Sequence, residues 1–368
     1  MDNSYILGIV QMLQFSVRQL AEVENGMNAV ERIEYYGTEL EEEAPEHTVE
    51  VPAAWPEKGE IVFDGVEMRY RAGLPLVLRG LNMRVAGGER IGIVGRTGAG
   101  KSSIMSALFR LVELSAGHIY IDGRDISTLG LHDLRSRLAI IPQDPTLFRG
   151  TVRSNLDPFG EHTDLDLWSA LRQADLVPSD ARVEDDNNNN NNSSSNKGQG
   201  RIHLDSAVEE DGLNFSLGQR QMMALARALV RGSRIIVCDE ATSSVDVETD
   251  DKIQATIATA FRGRTLLCIA HRLRTIIGYE RICVMDAGGI AELGPPLDLW
   301  RRHGSIFRGM CDRSGIREED IRRAAAEFAH PNPNTAGDGN DDDDDANDRH
   351  AAARVSGAVS TEKKETGI

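Results

Sequence analysis

Nowhere does this chain run to about 18 uninterrupted apolar residues, so no complete membrane-crossing helix is written in it. A secretory leader is missing too. Asp2 stands where such a segment carries basic residues, and the apolar run from Tyr5 to Val10 is too short. Basic charge is scarce: 41 Lys and Arg stand against 58 Asp and Glu, a net charge of -17. That balance argues against a general nucleic-acid binder, whose contact face would be basic. Cysteine is sparse as well. Cys238, Cys268, Cys283 and Cys311 lack the short paired spacing of zinc sites and read as buried thiols of a reducing cytosol.

What the chain does contain begins with one loop. The apolar run from Ile91 to Val94 suits a buried strand. Gly95, Arg96, Thr97, Gly98, Ala99, Gly100, Lys101 and Ser102 follow it, and Ser102 to Leu111 has helical spacing. Glycines let consecutive N–H groups curl around one anion, and the helix N-terminus adds partial positive charge there. Lys101 is placed to reach the β- and γ-phosphates of a nucleotide, with Ser102 on Mg²⁺ and Ser103 completing the loop. No second loop of this kind occurs in the 368 residues.

Residues 1 to about 36 have the apolar spacing of one long helix, its first dozen residues apolar enough for the tail of a membrane helix. Acidic, proline-bearing residues 37–58 read as a linker. Strands are expected at 60–63, 66–70, 76–85, 118–121, 138–141, 234–238, 265–270 and 281–285, with helical patterns between several of them. The fold class is therefore α/β, with a parallel sheet covered on both faces. Residues 183–200, with asparagine from Asn187 to Asn192, read as a flexible insertion, and 317–368 as a charged helix followed by a disordered acidic tail.

The order of motifs resembles an ATP-binding cassette (ABC) domain. More narrowly it resembles the second nucleotide-binding domain of multidrug-resistance-associated, C-subfamily exporters, oligomycin-resistance pumps in particular. The residues that narrow it are Met68 to Arg71, Leu78 to Leu81, Ile140 to Pro145 and Asn214 to Gln221. Upstream, Ala21 to Glu24 and Ala29 to Arg32 resemble the cytosolic end of that family's last transmembrane helix.

The resemblance implies an ABC domain at 59–316, with an antiparallel β subdomain, a parallel-sheet core and a helical subdomain. It implies that Tyr70 stacks on adenine, that Gln143 contacts Mg²⁺ and water, and that Asp239 holds Mg²⁺. Glu240 would be the general base and His271 the γ-phosphate switch, while Asp246 lies in the loop that crosses to a partner cassette. Ser216, Leu217, Gly218 and Gln219 match the signature that caps the partner's ATP, with Leu217 replacing the usual first glycine. A leucine there crowds the phosphate approach, so the ATP capped by Ser216 is expected to turn over poorly.

The implied ligands are ATP and Mg²⁺. The implied partners are a second nucleotide-binding domain, packed head to tail, and ABC transmembrane domains, on the cytosolic face of a plasma or vacuolar membrane. The missing membrane helices suggest a fragment, a truncated gene model or one part of a split transporter. The alternative is an ATP-binding protein that regulates or competes with a complete pump.

Overall fold

The computed structural model describes residues 2–40, 42–177, 202–239, 247–270 and 272–329. In chain order the helices and strands are α1 (Asp2–Thr38), β1 (Ile61–Met68), β2 (Leu78–Val85), β3 (Arg90–Gly95), α2 (Lys101–Leu108), β4 (Ala116–Ile121), β5 (Arg124–Asp125), α3 (Leu131–Arg135), β6 (Leu138–Ile141) and β7 (Gly150–Thr151). Then come α4 (Val152–Leu156), α5 (Asp164–Gln173), β8 (Ala207–Val208), α6 (Leu217–Arg231), β9 (Ile235–Asp239), α7 (Val247–Ala260), β10 (Thr265–Ile269), β11 (Arg281–Asp286), β12 (Gly289–Gly294), α8 (Pro296–Arg301), α9 (Ile306–Arg313) and α10 (Glu318–Ala329).

The expected α/β class is observed. Six strands form the central sheet in the order β12-β11-β3-β10-β9-β6, all parallel except β12. Strands β9 and β10 are buried at every residue, as strands covered on both faces must be. A second, antiparallel sheet runs β2-β1-β4-β5. Its strands alternate buried and open residues, so one face is dry. Phe63, Leu81, Ile119, Ile93 and Ile104 fill the core between this sheet, β3 and α2. On the other side of the central sheet Leu225, Ile253, Phe261 and Phe307 cover Ile236 and Leu266.

A third core holds the helical subdomain. Trp168 and Leu171 of α5 pack with Val152, Leu156 and Met223. Helix α5 starts at a reciprocal cap between Thr163 and Asp166. Helix α6 starts at another, between Ser216 and Gln219, and ends at Gly232 with φ 65.

Two expected strands, 60–63 and 66–70, form the single strand β1. Its pairing shifts register between Phe63 and Val66, where Gly65 adopts φ 58. Strand β12 has no clear apolar alternation and was not expected. Helix α1 is exposed along the described side chains, with Ile9 at 65% and Leu20 at 76%. No described helix is long and apolar enough to cross a membrane.

Residues 42–58 lie against the core. The Pro45 and Glu46 carbonyls accept from Leu131 N and His132 N, and Thr48 donates to Thr128 O. Arg135 holds Glu43 with two nitrogens while donating to the Phe109 and Arg110 carbonyls just past the C-terminus of α2. That guanidinium also holds the Glu43 carboxyl below its ordinary pKa. Trp55 is buried, and its indole N–H donates to Ile121 O at 3.2 Å. Trp55→Phe keeps a ring but strands that carbonyl, so it should lower unfolding stability by about 1–3 kcal/mol. Urea unfolding measures this, and an unchanged midpoint would contradict the anchoring role.

Candidate functional site

Four parallel strands, β3, β10, β9 and β6, end side by side at one edge of the central sheet. Strand β3 ends at Gly95 and runs into the phosphate-type loop. Register places Ile269 of β10 beside Ile93 of β3 and Asp239 of β9, and Ile141 of β6 beside Cys238. Carboxyl ends of adjacent parallel strands form the crevice where ligands of α/β sheets bind.

Glycine is required at two loop positions. At Gly95 (φ 155) an added Cβ would stand 2.4 Å from Met285 O. At Gly100, the left-handed residue that caps α2 (φ 96), it would stand 3.1 Å from Val77 O. Between them Arg96, Thr97 and Gly98 are exposed, while Ala99 is buried and donates its N–H to Arg96 O. Lys101 is 6% exposed, and its ammonium donates to Gly95 O at 3.1 Å and Arg96 O at 3.3 Å. The lysine thus lies folded back on the loop, its ammonium held by two loop carbonyls.

Asp239, the last residue of β9, is buried and accepts from the Ser102 hydroxyl at 3.4 Å. These two hard oxygen donors suit a small divalent cation of the Mg²⁺ type. One position back, the hydrogen bond with Cys268 and burial push the Cys238 thiol up, so it stays neutral beside the carboxylate. Tyr70 follows β1. Its ring is half exposed and its hydroxyl shares a 2.9 Å hydrogen bond with Ser103 in α2. An open aromatic face is thereby fixed to the phosphate-loop helix.

Gln143 is exposed just past β6. Its carbonyl accepts from the Gln221 side chain of α6 at 2.5 Å. Ser216 caps α6, accepting from Gln219 N at 3.1 Å, while Gln219 accepts from Ser216 N at 2.9 Å. Leu217 is partly exposed at that helix start. Gly218 is buried, and a Cβ there would meet Thr249 Cγ2 of α7 at 2.7 Å. Close packing between helices therefore sets glycine at 218. Glu240, Asp246 and His271 lie outside the described residues, as do the insertion at 183–200 and the acidic run from Asp341.

Sequence reading missed Gln221 and Arg227. The available signal was a polar residue on the buried face of α6, among Met222, Ala224, Leu225 and Ala228.

A strand–loop–helix phosphate cradle with an acid at the end of the next strand but one in the same parallel sheet defines a P-loop nucleotide-binding protein. Residues 78–243 match the ABC transporter family. The chain thus carries an ABC transporter domain, the ATP-binding ATPase module of that family.

The chain is 69% identical to the ABC-type transporter cicA of Emericella nidulans, over 86% of this chain and 23% of that protein. It is 53% identical to the oligomycin resistance ATP-dependent permease YOR1 of Saccharomyces cerevisiae, over 86% of this chain and 22% of that one. To the human ATP-binding cassette sub-family C member 3 it is 47% identical, over 85% and 19%. The chain thus spans less than a quarter of these relatives' length. Among solved structures, a bacterial Atm1-family ABC exporter with ATP bound superposes with a TM-score of 0.66 at 32% identity, covering 80% of this chain and 48% of that one.

Proposed function

We propose that residues 59–316 bind and hydrolyse Mg²⁺-ATP as one member of a head-to-tail pair of cassettes. That cycle drives efflux of xenobiotics or conjugates through ABC transmembrane domains, from the cytosolic face of a plasma or vacuolar membrane. The observation that carries the reading is the meeting of Lys101 and Ser102, after β3, with Asp239 at the end of β9 one strand beyond β10, and with Gln143 held just past the next strand, β6.

In this reading Tyr70 offers its ring to adenine, a contact on the order of 1–3 kcal/mol by analogy with base stacking. N–H groups from Gly98 to Ser103 cradle the phosphates, and Lys101 turns from its two carbonyls to the β- and γ-oxygens. Ser102, Gln143 and Asp239 would hold Mg²⁺, which supplies charge neutralisation to the triphosphate when bound. Glu240 takes the proton of the attacking water, and His271 contacts the γ-phosphate. Ser216, Leu217, Gly218 and Gln219 present the N-terminus of α6 to the ATP of the opposing cassette, and Asp246 crosses to it. Leu217 crowds that approach, so the ATP capped by this chain turns over poorly while the ATP on Lys101 is hydrolysed.

Calorimetric titration of the chain with ATP and Mg²⁺ tests the reading, followed by phosphate release with and without a second ABC nucleotide-binding domain. Saturable binding and release that rises on adding the second domain are expected. Absence of ATP binding would overturn the proposal.

A further inference from the structure

Gln221 stands out in the buried face of α6. It is 3% exposed, its neighbours are methionine, alanine and leucine, and its Oε1 has no hydrogen-bond partner among the described residues. A buried unpaired acceptor carries an uncompensated desolvation penalty. Methionine has the same reach without that polar atom, so stability alone favours an apolar residue here. The other half of the amide is engaged: Nε2 donates to the backbone carbonyl of Gln143.

The same helix grips the same loop six residues later. Arg227 donates to Thr146 O at 2.7 Å, to Asn155 O at 2.8 Å and to Asn155 Oδ1 at 2.6 Å. Asn155, itself 3% exposed, closes the loop by bonding Phe148 N, Phe148 O and Thr151 O. Gln143 stands two residues beyond the last paired residue of β6, so the sheet does not fix it directly. Helix α6 does, and the other end of α6 is the Ser216 cap.

We propose that Gln221 is a positioning residue: through the Gln143 carbonyl it fixes the 143–151 loop to α6, so that the Gln143 side chain and the Ser216 cap move as one body. Displacement of Ser216 by an opposing cassette then carries Gln143 toward or away from Ser102 and Asp239. Occupancy of one ATP site is reported to the metal side of the other through the Gln221 amide, the grip of α6 nearest Gln143, with Arg227 holding the loop further on. The inference rests on the reading of Gln143 as an Mg²⁺ contact, and its test separates the two.

The test uses the 368-residue chain and its Gln221→Met and Gln143→Ala variants. Readouts are thermal unfolding, amide hydrogen exchange across 143–148, and ATP affinity in Mg²⁺ and in EDTA. Gln221→Met should leave Tm unchanged or raised, because the orphan acceptor is gone and Gln143, an exposed residue, can turn its carbonyl to water. It should speed exchange at 143–148 by about tenfold or more. ATP affinity in EDTA should stay at the wild-type value, while the extra affinity given by Mg²⁺ falls to that of Gln143→Ala. Wild-type exchange together with wild-type Mg²⁺ dependence in Gln221→Met would overturn the proposal. So would a lowered Tm with equal affinity losses in Mg²⁺ and EDTA, the mark of a merely structural residue. If Gln143→Ala keeps the full Mg²⁺ effect while Gln221→Met accelerates exchange, the role of Gln143 fails and the latch stands.

Discussion

Lys101→Ala should weaken ATP binding by about 100-fold or more, a loss of about 2.7 kcal/mol. The expectation follows from where the ammonium sits. Lys101 is nearly buried, and among the described residues its ammonium donates to two neutral carbonyls, Gly95 O and Arg96 O. Neither partner neutralises its charge, so the charge is available to a triphosphate in surroundings drier than bulk water, where attraction is stronger. The free protein should barely notice the change. Alanine is a good helix former at the first residue of α2, and a charge held by carbonyls alone leaves when the side chain is cut. Unfolding stability should therefore stay within about 1 kcal/mol of wild type. Calorimetric titration and urea unfolding measure the two quantities. Wild-type affinity would remove Lys101 from the site, and a large stability loss would make it a structural residue.

Glu240→Gln should abolish most turnover while leaving ATP bound. The residue follows Asp239 directly, and Asp239 ends a fully buried strand beside the phosphate loop. A glutamine keeps the shape but cannot accept a proton from water, so the expected loss is on the order of 10²- to 10⁴-fold in kcat. Affinity for Mg²⁺-ATP should hold or rise, because the interaction removed belongs to the transition state. Single-turnover phosphate release in the presence of a second cassette is the appropriate measurement. Near-normal release would assign the proton transfer to another group.

Much of this site is legible in the sequence because its pieces are local. The loop from Gly95 to Ser102 carries its glycines where the backbone turns left-handed or meets Met285 O, so the letters and the geometry share one cause. Asp239 could be placed at a strand end because Ile235 to Cys238 are uniformly apolar. Ser216 was read as a helix start, and its reciprocal bond with Gln219 shows why.

What the sequence hides is non-local. Strand β3 lies between β10 and β11, far apart along the chain, and no local pattern orders parallel neighbours. Residues 37–58 read as a linker by composition, which does not show that Trp55 and Glu43 within them bond to β4 and to Arg135. Polar contacts with backbone carbonyls leave little trace in residue type, and the Gln221 hydrogen bond is of that kind.

The most direct test is the structure of the Glu240→Gln chain with Mg²⁺-ATP bound. The account predicts that Lys101 Nζ leaves the Gly95 and Arg96 carbonyls and lies about 2.8 Å from a β- or γ-phosphate oxygen, with the metal between that phosphate, Ser102 and Asp239. A nucleotide bound elsewhere, or a lysine still on its two carbonyls with ATP present, would contradict it.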